Sequence, residues 1–145
     1  MAKPKLMVAL RDARTLESLV TLACQLASGM DAEVTALHVV EIPMVTPIEA
    51  PNESLDHPGK QLLAQAQRVA EKFSRRLSTD LLRAREVGEA IVGEAKERGV
   101  DLLVMGHHKP HPHSLSETLW GGTVRYVAHH APCRVIVQIP SPEQP

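Results

Sequence analysis

Aromatic residues are nearly missing from this chain: Phe73, Trp120 and Tyr126 are the full set. A surface that binds single-stranded nucleic acid stacks successive bases on several exposed aromatics, so that function is disfavoured. An excess of charge of one sign is lacking too. The formal net charge is −1, which gives neither the basic footprint of a nucleic-acid binder nor a polybasic membrane patch. Cysteine is scarce. Cys24 falls in an apolar helical pattern and Cys133 just before an apolar run, so two reduced, buried thiols are expected rather than a disulfide or a catalytic pair. No apolar stretch approaches the length a membrane helix needs. The opening MAKPKLMVALRDAR has an apolar run shorter than a signal-peptide core before charges interrupt it. No membrane insertion and a cytoplasmic location are therefore expected.

What is present is ordinary and well patterned. The chain has 145 residues, of which 43% are hydrophobic and 23% charged, enough for one domain with a proper core. Short apolar runs occupy 6–10, 34–40, 100–105 and 135–139, the length and flanks of buried parallel strands. The run 81–87 mixes Leu, Arg and Val as an edge strand half open to water does. Between the runs, 15–30 carries Leu16, Leu19, Val20, Ala23, Leu26 and Ala27 at amphipathic-helix spacing, with Thr15 at the capping position. Residues 60–77 repeat the pattern through Leu62, Leu63, Ala66, Val69, Ala70, Phe73 and Leu77. Gly88 and Glu89 turn the chain into a third helix with Ala90, Ile91 and Ala95 inside, closed by Gly99 as a C-cap. The stretch 41–59 holds four prolines and no sustained period, so it reads as a long loop. His38, inside an apolar run, reads as a hydrogen-bonded structural histidine.

Strand and helix patterns therefore alternate, which argues for an open parallel sheet with helices on both faces. Such sheets bind ligands in the crevice at the carboxyl ends of their strands, where Arg11, Val39, Val40, Gly106 and the loop after it converge. The stretch 101–138 has the layout of a phosphate-binding crossover. It runs from an apolar strand ending at Gly106, through a polar His-rich loop, to the pair Gly121–Gly122 and a segment of helical character.

Four stretches, KLMVAL, DAEVTALHVV, VGEAIVGEAKERGVDLLVMG and HHAPCRVIVQ, resemble the universal stress protein family, and together they cover nearly the whole chain. The resemblance implies a Rossmann-like α/β domain over residues 1–140, with five parallel strands in the order 3-2-1-4-5. Residues 141–145 would be a disordered tail. It implies a homodimer formed through the last strand, 135–139, which agrees with the tendency of an apolar sheet edge to pair. It also implies a site for ATP or AMP, with no metal beyond nucleotide-associated magnesium. The family's phosphate loop has the pattern G-x-x-G, a spacer, then G-[ST]. Gly106 matches the first glycine, but Lys109 stands in the second glycine's place. Gly121 matches the third, Gly122 takes the hydroxyl residue's place, and Thr123 follows it. ATP-binding members end their first strand in an Asp that holds the nucleoside; here Arg11 stands there, with Asp12 beside it. Ala9, Val39 and Met105 keep the adenine side. A carboxylate accepts hydrogen bonds from a ribose and Arg11 cannot, although Arg11 can face a phosphate.

Imidazoles offer a weaker alternative. His107, His108, His111 and His113 crowd one loop and could hold zinc, copper or nickel, yet no carboxylate or thiol spacing completes a tetrahedral set. There is no G-x-S-x-G nucleophile elbow and no evident metal-holding acid, so at most slow nucleotide turnover is expected. Two readings result. One is a regulator that binds an adenine nucleotide through a degraded phosphate loop. The other is a protein-interaction module without a nucleotide, whose first strand, ALRDART, resembles that of family domains attached to permeases and antiporters, and whose partner would be a membrane transporter.

Overall fold

In the computed structural model the described residues are 2–107 and 122–139. Lys109, Gly121, His108, His111, His113 and the C-terminal tail lie outside them. Nine elements alternate along the chain: β1 (Lys5–Ala9), α1 (Leu16–Met30), β2 (Glu33–Glu41), α2 (Glu53–Glu71), β3 (Ser78–Ala84), α3 (Val87–Arg98), β4 (Leu102–Gly106), α4 (Gly122–His130) and β5 (Arg134–Gln138). The strands form one parallel sheet in the order β3-β2-β1-β4-β5. The expected architecture and strand order are both observed.

Period-two burial in the strands builds two cores, one on each face. Leu6, Val8, Val34, Ala36 and Val104 pack beneath α1 and α2. Met7, Leu37, Val39, Leu103 and Met105 pack beneath α3 and α4. Each apolar strand thus serves both layers, which is why β1 and β4 read as unbroken apolar runs. Cys24 is buried in the first core, where burial pushes its thiol up. Cys133 is only half-buried, against the second core, a departure from the expected burial. Both cysteines are free.

The helix boundaries bring three corrections. Thr15 sits at the N-cap of α1 without a side-chain cap bond. The helix expected at 60–77 is displaced: α2 begins at Glu53 because Asn52 caps it, its Oδ1 accepting the Leu55 N–H at 3.3 Å. Glu53 and Asp56 in the first turn suit the helix dipole. Pro58 costs only one hydrogen bond of the second turn, so the supposed loop from 41 is much shorter. The helix also ends early. Ser74 adopts φ 54°, Phe73 is left partly exposed, and Leu77 is buried from the connection into β3. Gly88 and Glu89 lie inside α3 rather than before it. Gly99 closes α3 at φ 63°, as expected of a C-cap.

Asp56 fastens the start of α2 to the sheet edge. Its buried carboxylate takes both Arg83 Nε, at 3.0 Å, and Arg83 Nη2. The guanidinium holds the Asp56 carboxyl below the usual carboxylate range. Among the described residues no helix is long and apolar enough to cross a membrane.

Candidate functional site

The sheet order places β1 between β2 and β4, so the crossover from β3 to β4 opens a crevice over the carboxyl end of β1. A cavity of about 370 Å³ lies there. Its floor is apolar: Leu37 and Val39 from β2, Met105 from β4, Ile91 from α3 and Val124 from α4. Leu37, Val39 and Met105 are the side chains that strand parity directs towards α3 and α4, so the same pattern that builds the second core also floors the cavity.

Of the residues singled out in the sequence, Ala9, Arg11, Val39, Met105, Gly106 and Thr123 line this one cavity. Gly122 opens α4 next to Thr123 but does not line it. Gly106 is the last residue of β4, paired with Gln138, and Gly99 is the only glycine with positive φ among the described residues. A Cβ at Gly106 would meet Leu19 Cδ1 at 3.1 Å, so close packing of α1, not a left-handed turn, asks for glycine there.

His38 behaves as a structural histidine should: its Nδ1 bonds the Leu10 carbonyl at 2.8 Å and so fixes the chain where β1 leaves the sheet. It also borders the cavity, a position that its place in an apolar run does not disclose. His107 is buried, its backbone N–H donates to the Gln138 carbonyl at 2.9 Å, and it too reaches the cavity. Among the described residues no cluster of three or more His, Cys, Asp or Glu could hold a metal. His129 and His130 lie in the last turn of α4, where the His130 ring stacks on Tyr126 at 4.1 Å.

Two polar residues of the rim, Thr15 and Glu41, are not among those the sequence singles out for the site. Glu41 ends β2 and shares the parity of Leu37 and Val39. That alternation is the available signal, but the start of the proline-rich stretch hides it.

The floor supplies a slot for an apolar, planar group, and the rim supplies hydrogen-bonding groups of both signs. Thr123 and Val124 in the first turn of α4 line the same cavity as Met105 and Gly106, and the dipole at the amino end of a helix favours an anion. This defines a doubly wound α/β protein with a crevice at its topological switch point. The universal stress protein family model matches residues 4–138, and the chain belongs to that family. A universal stress protein of Methanocaldococcus jannaschii is 30% identical over 121 residues, covering 79% of this chain and 69% of the relative. Among solved structures, the universal stress protein UspA from Lactobacillus plantarum is 27% identical, with TM-score 0.69, over 94% of this chain and 99% of that one. A universal stress protein from Archaeoglobus fulgidus in complex with dAMP shares the fold at 19% identity and TM-score 0.72, over 94% of this chain and 97% of that one.

Proposed function

We propose that this protein is a regulator that binds an adenine nucleotide, ATP or AMP, in the cavity at the carboxyl ends of β1, β2 and β4. The observation that carries the reading is the convergence of six sequence-selected residues, drawn from four elements and one connecting segment, on a single cavity of about 370 Å³. That volume lies within the usual range of small-molecule pockets. The dAMP complex of the Archaeoglobus fulgidus relative supports the choice of ligand. In this reading Ala9, Val39 and Met105 enclose the base. Gly106, Gly122 and Thr123, with Gly121 and Lys109 of the intervening sequence, would meet the phosphates. Arg11, exposed at the end of the first strand, adds a guanidinium that phosphate oxygens can share. Magnesium would arrive with a di- or triphosphate, not as a resident ion.

Isothermal titration with ATP and AMP tests the proposal. Saturable binding below millimolar concentration is the expected result, and no heat at millimolar ligand refutes it. The dimer belongs to the same proposal. Among the described residues β5 pairs only with β4, leaving its other edge open, with Val135, Ile136 and Val137 half-buried. An apolar open edge is a template for a second strand. Light scattering should give twice the monomer mass, and a monomer would refute the pairing.

A second reading is favoured by Met44 and Val45, 82% and 93% exposed, only a few residues beyond Glu41. Two apolar side chains held in solvent suit contact with a partner protein, and a transporter partner is the version that the first strand suggests. If titration shows no nucleotide binding, a partner protein becomes the reading to pursue.

A further inference from the structure

The cavity has one guanidinium and one carboxylate on its rim among the described residues, Arg11 and Glu41. Arg11 lies just beyond the end of β1 and Glu41 ends the neighbouring β2, yet they do not form an ion pair with each other. Among the described residues neither engages in a salt bridge, whereas Asp56, Asp80 and Glu94 each do. Both are exposed and open to a ligand.

Their placement orders the site. The first turn of α4, through Thr123 and Val124, lines the cavity together with Met105 and Gly106 of β4, Arg11 follows β1, and Glu41 ends β2 on the far side. A phosphate is drawn to the β4 side by the helix end and by Arg11, and repelled from Glu41. The other half of the ligand then extends towards β2. An ionised carboxylate has no proton to give, so Glu41 can only accept hydrogen bonds. It selects ligands that bring donors to the β2 end.

The strand end that carries Glu41 is held firmly. Ile42 N–H donates to the Ala84 carbonyl at 2.8 Å, and the Arg85 guanidinium donates to the carbonyls of Ile42, at 3.4 Å, and Pro43. A carboxylate on so fixed a backbone is partly preorganised for an incoming donor.

We infer that Glu41 is the specificity-determining acceptor of this cavity, reading hydrogen-bond donors on the nucleoside half of the bound nucleotide. This rests on the nucleotide reading above and adds a residue that it does not use. The donors available on that half are the sugar hydroxyls and the amino group of the base, and both present the same chemistry to a carboxylate.

The test is titration calorimetry of the wild-type protein and Glu41→Ala with AMP and with three analogues. These are 2′-deoxy-AMP, 3′-deoxy-AMP and purine riboside monophosphate, which lacks the amino group. Wild type should bind AMP more tightly than at least one analogue. Glu41→Ala should lose roughly tenfold towards AMP, the low end for a hydrogen bond to a charged group at an exposed rim. It should lose little towards the analogue that lacks the donor being read, and that analogue identifies the sugar or the base. Glu41→Gln, which keeps an acceptor oxygen, should recover part of the AMP affinity. The melting temperature of Glu41→Ala should match wild type. If wild type binds AMP and Glu41→Ala binds it equally well, the assignment of Glu41 is overturned while the nucleotide site stands. An equal loss towards all four ligands also overturns it. If wild type binds none of them, the nucleotide reading itself fails.

Discussion

Replacing Gly59 by alanine should destabilise this protein, although alanine is the better helix former by about 1 kcal/mol. Gly59 lies inside α2, on the face that covers the sheet. A Cβ built there falls 2.6 Å from His38 Cδ2 and 2.8 Å from Leu81 Cδ1, closer than carbon atoms approach one another. Leu81 can swing its terminal methyl away. The His38 ring has less freedom, because Nδ1 is tied to the Leu10 carbonyl at 2.8 Å. Relief therefore requires that bond to stretch or α2 to lift from β2. A contact this short against a tethered ring falls in the upper part of the usual overpacking range, about 2–3 kcal/mol, and subtracting the helix gain leaves a net loss of roughly 1–2 kcal/mol. For a domain of this size that is a fall of roughly 3–6 °C in melting temperature. Gly93 provides the internal control. It sits in α3 with nothing within 4 Å of its built Cβ, so Gly93→Ala should gain about the full helix term. Thermal unfolding of both variants, followed by circular dichroism, gives opposite signs if the packing argument is right. In a His38→Ala background the obstacle is gone, and Gly59→Ala should become stabilising; this double-mutant cycle isolates the contact. A Gly59→Ala variant that melts higher than wild type by as much as Gly93→Ala would refute the reasoning.

Three further perturbations follow from the same structure. Burial, and then the neighbouring Glu94, push the Asp80 carboxyl up to about 6, against the pull of Arg98 at 3.1 Å. A carboxyl raised in the folded state binds a proton there before it does so in the unfolded chain. Its contribution therefore grows as pH falls from about 7 towards 5, and it opposes stability once ionised. Glu94 is held below its ordinary range, first by its hydrogen bond with Asp80, so its own contribution fades only at lower pH. Asp80→Asn should flatten the dependence of melting temperature on pH between 5 and 7, and an unchanged profile would exclude the pair as its source. Gly99→Ala places a side chain at φ 63° and should cost about 1–2 kcal/mol, measured by urea unfolding with an unchanged slope. Arg11→Ala should weaken AMP several-fold while leaving adenosine binding unaltered; an equal loss for both would show that Arg11 does not meet the phosphate.

The parts of this fold that a sequence reveals are those with a repeating physical cause. Leu6 to Val8 and Leu103 to Met105 are buried on both faces of the sheet, and a continuous apolar run is the direct trace of that burial. Gly99 announces the end of α3 because the left-handed cap disfavours side chains. The start of α2 is hidden because prolines are read as breakers, whereas Asn52, Glu53 and Asp56 are a capping signal that outweighs one lost hydrogen bond at Pro58. Its end is hidden for the opposite reason. Phe73 and Leu77 continue the helical spacing, but the chain turns at Ser74 and Leu77 reaches the core from outside the helix.

The site divides along the same line. Val39 is legible from the sheet logic and Met105 from the family resemblance, whereas Leu37 joins them only in the structure, where strand parity puts it on the same face. Arg11, Thr15, Glu41 and Thr123 lie where elements begin or end, and there no period carries information past the last turn or pleat. Thr123 is reached through the family resemblance alone, and Arg11, which the sheet logic already brings to the crevice, is cast by the resemblance as a loss, since it stands where related chains carry an acceptor. Under the proposed nucleotide reading, the sheet order gives Arg11 a different role. With β1 between β2 and β4, the acceptor missing beside the first strand is available one strand away at Glu41, and the guanidinium takes the side nearer to the helix end. A site can therefore keep its complement of charges while moving them between adjacent strand ends. Whether this chain has done so is decided by Glu41, a residue that matching single positions to a motif passes over.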